Sequence, residues 1–401
     1  MKKEVRIVQS LESHTLNAFS KNIELTKHQK TILARMTAFT RDHLNQDGHA
    51  VFVLMGDAGT GKSLILNQLF TDLAQTVDDA YFLVNHPELL KVYRELAGET
   101  PHMLKKYYQR PTSFINKVHK QGKTVNLTVI DEAHLLLSKP DHYNNYYGDN
   151  QLKDIINISK VTIVVFDPHQ VLRTKSFWTK DRLLKLIEPY PHDFVHLKEQ
   201  FRMQAGPKLM DWLDHFVDGD VIGPVPDEGG QYDFRVFADA EKLFQTIIKK
   251  NDRYGLSRMT STSGYPSTLD GGKHLVNEGN FHLPWDQYNF TSTPWAEQPQ
   301  TINEVGSIYT VQGFDLNYIG IIIGPPFYLT ADHRLGVDPS KVTDVEIFKH
   351  RPDLQGKDFE ASKEILLRNS LNVLLRRGIR GMYIHAHDPK LEAWLEKMAA
   401  D

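Results

Sequence analysis

Between residues 25 and 191 the hydrophobic positions fall into two alternating kinds of run. Ala50-Val51-Phe52-Val53-Leu54-Met55 is unbroken apolar sequence closed by Gly56, the pattern of a strand buried on both faces. The stretch after it places Leu64, Ile65, Leu69 and Leu73 at helical spacing. Further apolar runs occupy residues 81–84, 125–130 and 161–166, and each ends on a polar or acidic residue. In a parallel α/β sheet that carboxyl edge is where ligands are held. The pattern predicts a doubly wound α/β domain.

A second series begins near residue 193. It continues through residues 234–237, a helix over 240–248, and further strands at 319–323 and 381–385. Two segments interrupt it. Residues 260–301 are rich in Gly, Ser, Thr, Pro and aromatics, and residues 324–357 carry Pro325-Pro326 and many charges; both are expected as loops or excursions. The expected organisation is an extension over 1–24, one domain over 25–190 and a second over 191–401, in keeping with a length of 401 residues.

Composition narrows the chemistry. The chain is 40% hydrophobic and 24% charged, with net charge −3 and no cysteine. Disulfides, thiolate metal sites, iron–sulfur clusters and cysteine nucleophiles are thereby excluded. That fits a reducing cytoplasm, which is the expected location. The start, Met1-Lys2-Lys3-Glu4-Val5-Arg6, is basic without a following apolar stretch, and no apolar run is long enough to span a bilayer. No membrane partner is expected. Near-neutral charge neither supports nor excludes nucleic acid, because a local basic groove can coexist with an acidic exterior.

Gly56-Asp57-Ala58-Gly59-Thr60-Gly61-Lys62-Ser63 matches G-x-x-x-x-G-K-[ST] in its proper setting, after an apolar strand and before a helix. Glycines let backbone N–H groups close around phosphate oxygens. Lys62 is expected to reach the β- and γ-phosphates, Ser63 to ligate Mg²⁺, and the following helix to add its positive end. Asp131-Glu132-Ala133-His134 follows the strand at residues 125–130. Asp131 is placed to hold Mg²⁺, and Glu132 to orient and polarise the attacking water. The expected cofactors are ATP and Mg²⁺, and the expected reaction is ATP hydrolysis.

The order of motifs beyond this point resembles superfamily-one helicases, and more closely the bacterial Schlafen-group-3-like DNA/RNA helicase domain family. The resemblance spans about residues 25–388. It is carried by Leu25-Thr26-Lys27-His28-Gln29, the Asp131 segment, Phe166-Asp167-Pro168-His169-Gln170 and Leu197-Lys198-Glu199-Gln200-Phe201-Arg202. Gly306-Ser307-Ile308-Tyr309-Thr310-Val311-Gln312-Gly313 and Asn372-Val373-Leu374-Leu375-Arg376-Arg377-Gly378 complete the set. It implies two tandem RecA-like domains with ATP between them. By the same resemblance Gln29 reads the adenine edge, and Gln170 senses the γ-phosphate while Asp167 fixes its loop. Arg202 and Arg377 are arginine fingers, Gln312 and Gly313 link nucleotide to the bound strand, and Thr310 binds a strand phosphate. Arg376 stands where the helicase pattern has Thr or Ser, so the finger is Arg376 or Arg377, with Arg377 favoured.

A motor of this kind holds single-stranded DNA or RNA by phosphate contacts and stacking aromatics. The candidates are Asn85 and His86 after residues 81–84, with Arg110 and Phe114 in a stretch that interleaves basic and aromatic residues. Trp285, Tyr288, Phe290 and Trp295 form an aromatic-rich segment that reads more readily as a satellite core. His385-Ala386-His387-Asp388 reads as a solvated strand end, with no metal assigned beyond Mg²⁺. About 40 residues separate Val84 from Val125, too few for a large accessory insertion. The expected function is a nucleic-acid-dependent ATPase acting as a DNA or RNA translocase or helicase. The alternative is an ATP-gated regulatory or defence-system module that hydrolyses ATP slowly and binds a protein partner.

Overall fold

A computed structural model describes residues 24–99, 103–197, 200–227, 229–266, 274–287, 289, 291, 295–311, 314–344, 347–351 and 353–400. The chain divides into two compact units. The first runs to Phe201 and takes in His350–Asp353; the second comprises Arg202–Lys349 and Leu354–Asp401.

In the first unit, α1 (Lys27–Leu44) opens with a capping box: the Thr26 hydroxyl accepts from the Gln29 N–H and the Gln29 side chain accepts from the Thr26 N–H. There follow β1 (Ala50–Gly56), α2 (Lys62–Leu73), β2 (Ala80–Val84), α3 (Pro87–Glu99), β3 (Tyr108–Gln109) and α4 (Pro111–Gln121). Then come β4 (Val125–Asp131), α5 (Gln151–Asn157), β5 (Ser159–Phe166), α6 (Lys180–Ile187) and β6 (His192–Leu197). The strands form one parallel sheet in the order β3-β2-β4-β5-β1-β6. The P-loop strand β1 therefore lies between β5 and β6. All seven of its residues are buried, as its unbroken apolar run requires.

The expected boundary after residue 190 is corrected by this sheet. β6 pairs with β1 from Val51↔His192 to Gly56↔Leu197, and the division falls after Phe201. An edge strand of one parallel sheet and the first strand of another have the same local pattern, so only the pairing decides between them.

The second unit contains α7 (Pro207–Asp218), β7 (Asp233–Val236), α8 (Ala240–Tyr254), β8 (Ser257–Ser261), β9 (Leu275–Glu278), β10 (Phe281–Pro284) and β11 (Val305–Gly306). It continues with α9 (Ile308–Val311), β12 (Leu316–Ile323), β13 (Phe327–Leu329), β14 (Leu335–Val337), α10 (Gly356–Leu375), β15 (Gly378–Ala386) and α11 (Pro389–Ala400). Its main sheet, in the order β11-β8-β12-β15-β7, is parallel throughout. The two segments expected as excursions contain antiparallel pairs, β9 with β10 and β13 with β14.

β8 was not foreseen as a strand. Its sequence, Ser-Arg-Met-Thr-Ser, is polar, yet all five residues are buried. Burial is tolerated because the polar groups are satisfied: Thr260 Oγ1 donates to Gly320 O at 3.1 Å and Ser261 Oγ to Ile322 O at 3.0 Å. The Arg258 guanidinium bonds Thr301, Asn251 and Gln298.

Candidate nucleotide site and its arginines

The P-loop links β1 to α2. Gly59 and Gly61 have φ of +82° and +83°, the left-handed region in which glycine carries no side-chain penalty. At Gly61 a Cβ would lie 2.5 Å from Gln29 Nε2, so the site also needs glycine for space. Gln29 is buried, and its Nε2 donates to Thr60 O at 3.2 Å. Both ends of its amide are thus engaged, one by the α1 cap and one by the loop. The Thr60 hydroxyl donates to Asp57 O at 2.9 Å, and Phe201 N donates to Gly59 O at 2.8 Å. The residues just after β6 therefore brace the loop, a role the expected domain boundary had hidden.

Lys62 is buried and its Nζ lies across the loop, donating to Gly56 O at 2.7 Å and Asp57 O at 2.6 Å. It also stands 3.5 Å from Asp167 Oδ2, a carboxylate that is 1% exposed. That same oxygen accepts from Gln170 Nε2 at 2.7 Å, while Asp167 Oδ1 accepts from His169 N at 3.0 Å. Asp167 thus joins the P-loop lysine to Gln170 and fixes the turn that carries it. His169 Nδ1 lies 2.9 Å from Asp57 Oδ1. Asp57, Asp167 and His169 bring ligand-type atoms within 4.8 Å of one another. The Lys62 ammonium supplies positive charge to that group directly.

Asp131 ends β4 and is fully buried. Its Oδ2 accepts from the Tyr93 hydroxyl at 2.6 Å, its Oδ1 accepts from Glu132 N at 3.0 Å, and the Ser63 hydroxyl also bonds it. Burial pushes the Asp131 carboxyl up to about 6, and the neighbouring Glu132 charge adds to the rise. Burial, then the Asp131 charge, holds the Tyr93 phenol well above its ordinary value. Hard oxygen donors from Ser63 and Asp131 suit a divalent cation such as Mg²⁺. Tyr93, on the helix after β2, was not foreseen; in sequence it is one more apolar-face residue of α3.

Glu132 has φ +52° and ψ +46°, an uncommon left-handed conformation for a residue with a side chain. Its Oε2 lies 3.0 Å from Nε2 of the buried His134. Strained backbone of this kind at a strand end is a recurrent feature of functional sites.

In the second unit Arg202 and Arg377 converge on one carboxylate. Arg202 Nε lies 2.8 Å from Asp315 Oδ1, and Arg377 Nη1 lies 3.8 Å from the same atom. Arg376 is built differently: its Nε donates to Asn372 Oδ1 at 2.7 Å and its Nη2 pairs with Asp214 of α7. Asp315 was not foreseen, although it follows the Gly306 motif by only two residues beyond Gly313. Gln312 and Gly313 lie outside the described residues. The Thr310 hydroxyl donates to Ser307 O at 2.8 Å, within its own turn.

Of the strand-binding candidates, Asn85 Nδ2 donates to Leu135 O at 2.6 Å, just beyond the Asp131 motif. The exposed Arg110 reaches Asn85 Oδ1 at 3.4 Å, and His86 Nδ1 accepts from Leu89 N at 3.2 Å. Phe114 is corrected: it is 0% exposed, packed with its ring 5.1 Å from that of Tyr81, and offers no face to a base. On α4 the alternation of basic and aromatic residues is that of an amphipathic helix, whose buried face takes Phe114, Ile115 and Val118. Trp285 and Trp295 are buried in the second unit, while Tyr288 and Phe290 lie outside the described residues. His387 Nδ1 lies 2.7 Å from Glu278 and His387 is exposed, while the buried His385 has its Nδ1 2.8 Å from Phe237 O, so the strand end is solvated at His387 and tied at His385.

Among the described residues no helix is long and apolar enough to cross a membrane. The chain is 35% identical over 421 residues to a Saccharomyces cerevisiae protein known as uncharacterized protein YPL245W, covering 95% of this chain and 92% of that one. Among solved structures, Pif1 helicase from Candida albicans aligns with TM-score 0.37 and 12% identity, covering 92% of this chain and 96% of that chain. The DUF1998 helicase MrfA bound to DNA and AMPPNP aligns with TM-score 0.41 and 11% identity, covering 95% of this chain and 51% of that chain. The fold assignment itself rests on the two parallel sheets. Residues 49–388 match the family described as Schlafen group 3, DNA/RNA helicase domain, and the chain belongs to that family.

Proposed function

We propose that the protein is a nucleic-acid-dependent ATPase, a DNA or RNA translocase or helicase working in the cytoplasm. The observation that carries this reading is the cluster at the end of β4: Ser63 bonded to Asp131, with Glu132 beside it on strained backbone. Lys62 leaves its loop carbonyls for the β- and γ-phosphates of ATP. Ser63 and Asp131 would hold Mg²⁺, which when bound would neutralise charge on the phosphate oxygens. Glu132 orients and polarises the attacking water, with His134 fixing its carboxylate. Asp167 couples the state of Lys62 to Gln170, so that γ-phosphate loss is felt at the loop after β5.

Arg202 and Arg377, preset by Asp315, supply guanidinium charge to the transferring phosphoryl group as fingers do. Hydrolysis so assisted becomes motion along a strand. The direct test is Lys62→Ala in the full chain. Loss of Mg²⁺-dependent ATP binding and turnover with an unchanged circular dichroism spectrum is expected. Turnover equal to that of the unaltered protein would sink the reading.

A further inference from the structure

With Phe114 in the core, the first unit needs another aromatic surface if it is to stack bases, and one is built on the loop between β4 and α5. Tyr143 is 94% exposed and Tyr147 68% exposed, the two most exposed large hydrophobic side chains among the described residues. His142 stacks on Tyr147 with ring centroids 5.0 Å apart and planes 29° from parallel, which braces the Tyr147 ring.

The loop that presents them is held from below. Asp141 and Tyr146 exchange two backbone hydrogen bonds, at 2.9 and 3.1 Å. The buried Tyr146 donates to Asp154 Oδ2 at 2.7 Å. Gly148 admits this packing, since a Cβ there would lie 2.6 Å from the Tyr146 hydroxyl. Lys175 pairs with Asp141 at 3.3 Å, and Arg351 clamps the loop's start through Ser138 Oγ and Thr174 O, each at 2.7 Å. Exposed rings on a tied loop lose little conformational freedom when they are covered.

The loop itself carries Asp141, paired with Lys175, and the exposed Asp149, and the cations stand on the neighbouring helix. Asn116 Nδ2 donates to Asn145 O at 3.2 Å and so ties α4 to the loop. The outer face of α4 carries exposed Lys117 and Lys120, and Arg110 stands exposed at its N-terminal end. Cations beside flat aromatic faces are the composition of a sequence-tolerant single-strand site.

We propose that Tyr143 and Tyr147, with His142, form a platform on which unpaired bases of single-stranded DNA or RNA stack. This rests on the nucleic-acid reading above. It is tested in the full chain by fluorescence anisotropy with labelled oligo-dT, oligo-U and an abasic oligonucleotide of equal length. Tyr143→Ala/Tyr147→Ala is expected to weaken binding of the base-bearing strands about tenfold or more, and to leave the abasic strand within twofold. Tyr143→Phe/Tyr147→Phe, which keeps the rings, should restore binding. Equal affinity of the alanine variant and the unaltered protein for the base-bearing strands overturns the platform. An equal loss on the abasic strand overturns stacking. If the unaltered protein binds none of the strands, the nucleic-acid reading falls with it.

Discussion

The Tyr93 hydroxyl stands 2.6 Å from Asp131 Oδ2, so the helix after β2 holds the carboxylate that ends β4. The bond gives the buried Asp131 carboxylate a phenolic donor. With Ser63 and Glu132 N it defines the direction in which that carboxylate points.

Asp131 imposes a pH dependence. Its native carboxyl sits at about 6 against an ordinary 3.8, so the folded state holds this proton more tightly than the unfolded chain. The associated stability is present at low pH and is lost as pH rises from about 4 through about 6. In the absence of metal, the stability of the unaltered protein is therefore expected to fall by about 1–3 kcal/mol between about pH 4 and pH 7.5 relative to that of Asp131→Asn, which has no carboxyl to titrate. Urea melts of both proteins across that range without Mg²⁺ check this, and parallel pH profiles would refute it. Mg²⁺ affinity should fall as pH drops through about 6, because the ion competes with the proton.

Glu132→Gln separates binding from chemistry. ATP affinity is expected to stay within a few-fold, while turnover falls about 100-fold or more, the scale of a lost general base. Unchanged turnover would move the water-orienting role elsewhere.

The paired arginines make opposite predictions. Arg376 is buried against Asn372 and a half-exposed Asp214, so Arg376→Ala should cost about 2 kcal/mol of stability with little effect on turnover per folded molecule. Arg377→Ala should lower turnover about 1000-fold while ATP binding changes only a few-fold. Thermal melts and single-turnover assays on both variants decide the matter, and the reverse pattern would make Arg376 the finger.

Gln29→Ala removes the reciprocal half of the α1 cap and the bond to Thr60 O. We expect a loss of about 1 kcal/mol of stability and a reduced preference for ATP over GTP. Stability loss with unaltered nucleotide preference would confine Gln29 to bracing the loop.

Strands buried on both faces announce themselves, so β1, β2, β4, β5 and β12 could be read from apolar runs, and the P-loop from its glycines. β8 could not, because its burial depends on side-chain bonds to Gly320 O and Ile322 O that come from elsewhere in the chain. β6 is legible as a strand but not as a member of the first sheet, since pairing is not a local property. Residues to which chemistry is assigned by proposal are visible as motifs. Those that hold them, Tyr93, Asp315 and the backbone of Phe201, are not, because a supporting residue needs only to reach its partner in space. Phe114 shows the converse failure: a helix that buries one face and exposes lysines on the other imitates a basic–aromatic strand site.

ATP turnover measured without polymer, with single-stranded DNA and with RNA, across a salt series, tests the central claim most directly. We predict that at least one polymer raises turnover several-fold, and that the rise fades as salt displaces phosphate contacts. Turnover that stays flat with both polymers at every salt concentration would contradict a nucleic-acid motor and leave an ATP-gated module in its place.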